Sequence, residues 1–248
     1  MGSYADDALF MSRNNIEYVE LISDDGKSKV MVIPAWQGRV MTTSAAGDEG
    51  DSYGWINYSF IKKRQIDLQF NPVGGEERFW LGPEGGVFSL YFRQGEKQIY
   101  KNWKVPPVLD IEAFKIQSQS KNCICLTKEG CLTNACGTTF YLNIKRTISL
   151  LDINEFAASF NLEFPKDIKA VAYKSDNQIT NIGNESWNKE TGLISVWMLS
   201  MFNPTSATTV FIPYKQSRKG KIVNDEYFGK IPVSYTHLRA HETRSNLV

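Results

Sequence analysis

The chain has 248 residues and a formal net charge of +1, with 42% hydrophobic and 22% charged residues. This composition is ordinary for a folded globular protein, and the length suits one large all-β domain or two small ones. The near-neutral charge gives no basic field for nucleic acid or an anionic membrane, and no apolar run approaches the roughly 20 residues that span a bilayer. We therefore expect no nucleic-acid partner and no membrane span, and the sequence leaves the compartment open.

The N-terminal segment predicts one short helix, after which the pattern becomes that of strands. Ser3 and Asp6 have capping-box spacing, which predicts a helix over Ser3–Met11. The hydrophobic period then changes to two, which is typical of half-buried strands. The strands predicted in this first part of the chain are Tyr18–Ile22, Lys29–Ile33 and Arg39–Thr43.

The clearest strand signal covers Thr139 to Leu150. Apolar residues alternate with polar ones along it, so one face is predicted to be buried. Arg146 is the one interruption of the apolar face. A buried arginine there would need a carboxylate or a carbonyl as its partner.

Further short strands predict the fold class. They recur at regular intervals and no long helical pattern separates them, which favours antiparallel sheets packed as a sandwich in one domain. The predicted segments are Ile111–Ile116, Cys123–Thr127, Glu155–Leu162, Val171–Ile182, Ile194–Met201 and Thr208–Ile212.

Four cysteines raise the question of a metal site. Their spacing, C-x-C-x5-C-x4-C, matches no common zinc pattern. We expect ordinary strand and turn thiols, no metal and no cofactor. The four residues are Cys123, Cys125, Cys131 and Cys136.

One glycine-rich segment, NPVGGEERFWLGPEGG at residues 71–86, has the residue types that bind sugars. Paired glycines imply tight backbone geometry on both sides of a short extended piece. Carboxylates and an arginine can hydrogen-bond vicinal hydroxyls, and an indole can pack on the C–H face of a sugar ring. The candidate binding residues are Asn71, Glu77, Arg78, Trp80 and Glu84, together with Arg39 from the strand upstream.

Two interpretations of this segment stay open. Its side chains can form the floor of a ligand pocket, or Arg78 and a glutamate can pair in a buried turn with Trp80 in the core. A second polar stretch, Asn177–Trp187, allows the same choice between a sugar-contacting loop and a solvated turn. Open clefts and buried pairs are therefore the observations that distinguish binding from structure.

The strings PAWQGRVMTTSAAGDEGDSYGWINY, NPVGGEERFWLGPEGG and DEYFGKIP resemble an uncharacterised bacterial family related to the aldose 1-epimerases. The resemblance implies a β-supersandwich of the galactose-mutarotase type and a chain that continues past Pro232. It also implies a sugar-binding cluster near Arg39, Asn57 and residues 71–84, with the glutamate base in later strands. The epimerases rely on a histidine acid, and this chain has no histidine before residue 237.

The final segment, residues 233–248, resembles a peptide that arises when sequencing-adapter DNA is translated. It contains the string SYTHLRAHET and both histidines of the chain, His237 and His241. We expect residues 1–232 to form a partial mutarotase-like domain and 233–248 to be a non-native tail; the alternative is a genuine polar helix. Without the tail, a histidine-based triad or zinc site is excluded for this piece.

These patterns support two hypotheses from different classes. The first is a carbohydrate-binding or carbohydrate-active domain that takes a sugar or glycan ligand, with an aldose epimerase-like activity in a longer parent. The second is a structural or interaction β-sandwich domain without a small-molecule site.

Overall fold

The computed structural model describes residues 2–165 and 167–211. The chain divides into two compact units, Met1–Asn203 and Pro204–Val248, and all named helices and strands belong to the first. This unit is mostly β, with three sheets and few helices. The all-β class is therefore confirmed, while the mutarotase-type supersandwich stays a prediction. The strands are β1 Val19–Ile22, β2 Lys29–Ile33, β3 Arg39–Ser44, β4 Arg78–Gly82, β5 Lys115–Gln119, β6 Cys123–Thr133, β7 Thr139–Leu151, β8 Ala172–Asn181 and β9 Ser195–Leu199.

The predicted N-terminal helix is present as α1, Tyr4–Arg13, and both halves of its capping box form. The Ser3 hydroxyl accepts from the Asp6 amide at 3.2 Å, and the Asp6 carboxylate accepts from the Ser3 amide at 3.0 Å. Three shorter helices were not predicted: α2 Tyr58–Ile61, α3 Pro107–Asp110 and α4 Ile153–Ser159. No described helix is long and apolar enough to cross a membrane.

The first sheet has the antiparallel order β1–β2–β3, and its central strand is buried on both faces. Successive side chains of a strand point to opposite faces. Val30 and Val32 accordingly join the main hydrophobic core, whereas Met31 and Ile33 join a second core beneath α1. This two-sided burial explains why β2 is apolar without interruption from Val30 to Ile33.

The largest sheet has the antiparallel order β5–β6–β7–β8. Its strand β7 shows the predicted alternation, with Phe140, Leu142 and Ile144 buried and Tyr141 exposed. The buried face packs into the main core together with residues of β2, β3 and β4. The third sheet is the antiparallel pair β4–β9, so the glycine-rich segment enters the core as a paired strand.

Two predicted strands are wrong, and a third, Ile111–Ile116, overlaps β5 only at its last two residues. Glu155–Leu162 lies mostly in α4, because the Asp152 carboxylate accepts from the amides of Asn154 and Glu155 and begins a helix there. In Thr208–Ile212 the described residues carry no strand, and Ile212 lies outside the described part. The predicted boundary at residue 232 and the tail also lie outside the described residues.

Candidate functional site

The glycine-rich segment approaches Arg39 through two glycines that no other residue could replace without strain. Gly74 and Gly75 have φ of +93° and +117°. A Cβ on Gly75 would lie 2.5 Å from Cδ of Arg39, closer than carbon atoms pack. Gly75 therefore lets the backbone run against the stem of a buried arginine, whereas Gly74 lies against the backbone of Trp55. The Arg39 guanidinium donates to the Gly74 carbonyl at 2.6 Å.

Arg78, the first residue of β4, pairs with Asp110 at the end of α3. Its Nη2 lies 3.1 Å from Oδ1 of Asp110, and both side chains are almost fully buried. The other oxygen of Asp110 accepts from the side-chain and backbone nitrogens of Asn71 at 2.7 and 3.0 Å. The guanidinium also packs on the Trp80 ring, 3.8 Å from its centroid. Asn71 and Arg78 thus meet at a buried aspartate, and Trp80 packs on the Arg78 guanidinium.

Glu77 points to the opposite side and pairs with Arg146 of β7. Nη2 of Arg146 donates to Oε1 of Glu77 at 2.9 Å and to the Gly38 carbonyl at 3.2 Å. Nη1 donates to Oδ1 of Asn177 at 2.6 Å. Arg146 is fully buried, and burial lowers the pKa of its guanidinium while Glu77 acts in the other direction. The sequence predicted a carboxylate or a carbonyl partner for Arg146, and this is confirmed, because Arg146 bonds both the Glu77 carboxylate and the Gly38 carbonyl.

Arg39 is the least compensated charge of this buried group. It forms no ion pair with any carboxylate in the described residues, and its bond to Gly74 is with a carbonyl. Burial lowers the pKa of Arg39 well below its usual range, and the neighbouring Arg78 acts in the same direction. Asp110 opposes them. The side chain is 1% exposed, so Arg39 is closed to a ligand from solvent.

Glu76 is the carboxyl whose pKa moves furthest toward neutrality. Burial raises the pKa of Glu76 to about 7, although hydrogen bonds from Thr43 oppose the shift. The Thr43 hydroxyl lies 2.9 and 3.0 Å from the two carboxyl oxygens, and Tyr173 also acts to lower the pKa of Glu76. Glu76 is 2% exposed, so it is a buried carboxyl that takes up a proton near neutral pH.

Trp80 and Glu84 lie at the outer end of the segment. The indole nitrogen of Trp80 donates to Oε1 of Glu84 at 2.6 Å, and the ring stacks on Tyr91 with centroids 5.4 Å apart. Trp80 is 4% exposed, while Glu84 is half-buried. Neither ring face of Trp80 is therefore open to a sugar.

The predicted site residues do not converge on an open cleft in the described chain. They divide into two buried ion pairs, one buried arginine without an ion pair and one indole–carboxylate hydrogen bond. Asn57, which the epimerase resemblance placed nearby, caps α2 and donates to the Pro72 carbonyl at 2.9 Å. Asp110, which organises Asn71 and Arg78, was missed, because one aspartate after the Pro-Pro pair gives no motif. Whether these residues bind a ligand stays a prediction.

An open pocket of about 420 Å³ does lie at the end of the largest sheet, where β7 begins and β8 ends. We call it the sheet-end pocket. Tyr141 and Trp187 provide its aromatic surface, and Asn181, Asn184 and Glu185 provide polar groups. Its volume is within the range of small-molecule sites. The sequence had singled out Asn181, Asn184 and Trp187 in the second polar stretch, but not Tyr141.

The sheet-end pocket is held by local contacts. Trp187 packs edge-on against Phe140, with ring centroids 5.8 Å apart. Asn181 shapes the turn, since its Oδ1 accepts from the Gly183 amide at 2.9 Å and its Nδ2 donates to the Glu185 carbonyl at 2.8 Å. A Cβ on Gly183 would lie 3.4 Å from the Tyr141 side chain. The loop therefore fits closely over Tyr141, whose ring stays 54% exposed.

A further open pocket, of about 480 Å³, lies between α1 and α2. Asp7 forms its floor and accepts from the hydroxyls of Ser52 and Tyr58. Burial raises the pKa of Asp7, while these two bonds oppose the shift. Because both carboxyl oxygens are already bonded, Asp7 is occupied in joining α1 to its neighbours.

The fold and these sites define a β-rich protein with a charged, paired interior and an open polar–aromatic pocket at a sheet end. The chain matches the family described as "Family of unknown function (DUF6786)" over residues 2–243, and it belongs to that family. No curated protein and no solved structure matches it. Among the described residues, no group of three or more His, Cys, Asp or Glu is placed to hold a metal ion.

Proposed function

We propose that the protein is a carbohydrate-binding domain and that its sugar or glycan ligand binds in the sheet-end pocket. The observation that carries the proposal is the pocket's lining. The Tyr141 ring, 54% exposed, shares the pocket with the half-buried Trp187 and with the exposed side chains of Asn184 and Glu185. Aromatic faces and convergent amide or carboxylate groups are what a pyranose ring requires.

The division of roles follows from which groups are free. Both polar atoms of the Asn181 side chain are hydrogen-bonded within the turn, so Asn181 positions the loop. Asn184 is exposed and stands beside it in the pocket, where its amide can both donate to and accept from sugar hydroxyls. Glu185 adds a carboxylate acceptor. Trp187 and Tyr141 contribute the apolar surface on which the C–H face of the ring packs.

The finer proposal is that this domain has a mutarotase-like fold. It is supported by the sequence strings given above and by the antiparallel, β-rich architecture. Binding without proton transfer is the expectation for this chain, since Glu77 is engaged by Arg146 and Arg78 by Asp110. Polarimetry on freshly dissolved α-glucose and α-galactose should give the buffer rate. A large enhancement that is lost in Glu77→Gln would contradict this.

The second candidate, a structural or interaction domain without a small-molecule site, also has an observation in its favour. Glu77, Arg78 and Trp80 are 8%, 2% and 4% exposed, respectively, and each has a bonded partner within the protein. Under this alternative the glycine-rich segment organises the interior and the sheet-end pocket is empty surface.

Ligand-observed NMR with a panel of monosaccharides and oligosaccharides distinguishes the two candidates. We expect binding by the intact chain and a loss of about tenfold or more in affinity for Trp187→Ala and Asn184→Ala. Asn184 is exposed, so its replacement tests binding even if Trp187→Ala weakens the fold. Trp55→Ala is the matched control, because Trp55 is 38% exposed and lies outside the pocket. Equal affinity in all three variants, or no sugar binding at all, would refute the proposal.

A further inference from the structure

Four side chains stand out as the most exposed large hydrophobic residues described in the unit Met1–Asn203. Leu68 is 81% exposed, Tyr100 74%, Val87 69% and Ile66 67%. Ile99, beside Tyr100, is 52% exposed. Single exposed apolar residues are common on protein surfaces, whereas a contiguous group marks an interaction site. These five residues mark an interaction site if they form one contiguous group.

Hydrogen bonds join the three segments that carry them. The Gln98 side chain bonds both backbone groups of Gly86, accepting from its amide at 2.8 Å and donating to its carbonyl at 2.7 Å. These two bonds hold the segment that carries Val87 against the segment that carries Ile99. The Gln69 side chain donates to the Tyr100 carbonyl at 2.6 Å, which holds the segment that carries Leu68 against the segment that carries Tyr100. We call Ile66, Leu68, Val87, Ile99 and Tyr100 the apolar patch.

A stack of aromatic rings supports the apolar patch from below. Tyr100 stacks on Trp103, with centroids 6.2 Å apart, and Trp103 stacks on Tyr91 at 5.4 Å. Tyr91 is 2% exposed and bonds the Leu81 carbonyl at 2.6 Å. The exposed Tyr100 ring therefore stands on a support anchored in the core, which lowers the entropy cost of using it in an interface.

Two of these three segments carry a concentrated positive charge. Residues 62–69 and 93–104 contain seven cations and two anions, a net of +5, within a chain whose net charge is +1. All seven cations are exposed. The near-neutral net charge of the whole chain therefore conceals a strongly basic region, which acidic residues elsewhere offset. The cations are Lys62, Lys63, Arg64, Arg93, Lys97, Lys101 and Lys104, and the anions are Asp67 and Glu96.

We propose that the apolar patch docks on a phospholipid bilayer surface that carries anionic headgroups. The aliphatic side chains enter the boundary between headgroups and acyl chains, and Tyr100 lies at headgroup level, where tyrosine is enriched. The exposed cations of residues 62–69 and 93–104 meet the anionic headgroups. A second copy of the chain would present the same positive region and be repelled. Nucleic acid would use the cations but gains nothing from exposed Leu68 and Ile66, which have no ring to stack on a base.

Vesicle co-sedimentation of the intact chain tests the proposal. We expect binding to vesicles of phosphatidylcholine with phosphatidylserine, little binding to phosphatidylcholine alone, and weakening as salt is added. Leu68→Ser should lower the partition coefficient about tenfold, because it removes a buried aliphatic group from the bound state. Lys101→Glu with Lys104→Glu should lower it by at least as much.

Matched controls make the same chemical changes elsewhere on the surface. Leu9→Ser alters a leucine that is 47% exposed on α1, and Lys145→Glu with Lys174→Glu reverses two exposed lysines of the largest sheet. Both controls should keep vesicle binding. Vesicle binding that is equal in patch and control variants would overturn the proposal. Failure to bind phosphatidylserine vesicles would also overturn the proposal. This includes the case in which the patch binds polyuridylate or polyglutamate and does not bind vesicles.

Discussion

Nη2 of Arg146 lies 2.9 Å from Oε1 of Glu77, although 69 positions of sequence separate the two residues. The bond joins β7 to the residue that precedes β4, so it crosses the main core. Arg146 has no exposed surface and Glu77 has 8%. Removing one member leaves the other charge buried without its partner.

We expect Arg146→Met to lower the free energy of unfolding by about 3–5 kcal/mol, the usual cost of breaking a buried ion pair. The double variant Glu77→Leu with Arg146→Met should be less destabilised than the two single changes together, because neither charge remains. Urea denaturation of all four proteins measures the coupling. Simple additivity of the two costs would show that the pair is not coupled.

Glu76 should make stability depend on pH between the pKa of the unfolded carboxyl, 4.5, and its folded value of about 7. The folded protein keeps the proton that the unfolded chain has released, so the stability that Glu76 contributes is fully present below pH 4.5 and is lost as pH rises through about 7. The shift corresponds to about 3 kcal/mol. Glu76→Gln imitates the protonated acid and removes this contribution.

The measurement is the difference in unfolding free energy between wild type and Glu76→Gln, taken across that pH range by denaturant titration. Using the difference cancels other groups, such as Asp7 and Asp110, whose pKa values burial also raises. As pH rises, the unfolding free energy of the wild type should fall relative to that of Glu76→Gln. A constant difference would mean that Glu76 titrates normally.

The two positive-φ glycines at 75 and 86 give a matched test of the contact with Arg39. Gly75→Ala meets both an unfavourable φ and the Arg39 side chain, whereas Gly86→Ala has φ of +83° and open space around its Cβ. We expect a loss of about 2–4 kcal/mol for Gly75→Ala and about 1 kcal/mol for Gly86→Ala, measured by thermal or urea unfolding. Equal losses would show that backbone strain alone matters at residue 75.

Neighbouring residues of β7 should separate stability from binding. Leu142→Ala opens a cavity in the main core, where Leu142 is 0% exposed, and should cost about 2–5 kcal/mol. Tyr141→Ala changes an exposed ring of the sheet-end pocket and should alter stability by no more than about 0.5 kcal/mol. In sugar titrations we expect the opposite order: Tyr141→Ala should bind sugar more weakly than Leu142→Ala. A large loss of stability in Tyr141→Ala would place that ring in the core.

The sequence patterns predicted local features better than long-range partners. Alternation along Thr139–Leu150 predicted which face of β7 is buried, and the interruption at Arg146 predicted the chemistry of its partner. That the partner is Glu77 follows from chain topology, which periodicity does not encode. The strand prediction at Glu155–Leu162 failed because one side chain, Asp152, caps two amides and begins a helix.

The candidate site shows the same limit. Residue types in the glycine-rich segment suit sugar recognition and suit buried ion pairs equally well, since both need carboxylates, arginine and an indole. Burial of Glu77, Arg78 and Trp80 favours the structural role, and two of their partners, Asp110 and Arg146, lie far along the chain. The second polar stretch gave the weaker signal, yet Asn181, Asn184 and Trp187 line an open pocket.

Because β2 lies between two cores, its alternate residues are constrained by different neighbours. A change at Val30 or Val32 can be compensated only by residues of the main core, and a change at Met31 or Ile33 only by those beneath α1. Accumulated substitutions in one core therefore cannot relieve crowding in the other. Sequence drift in this strand should occur as two independent sets of paired exchanges, one for odd and one for even positions.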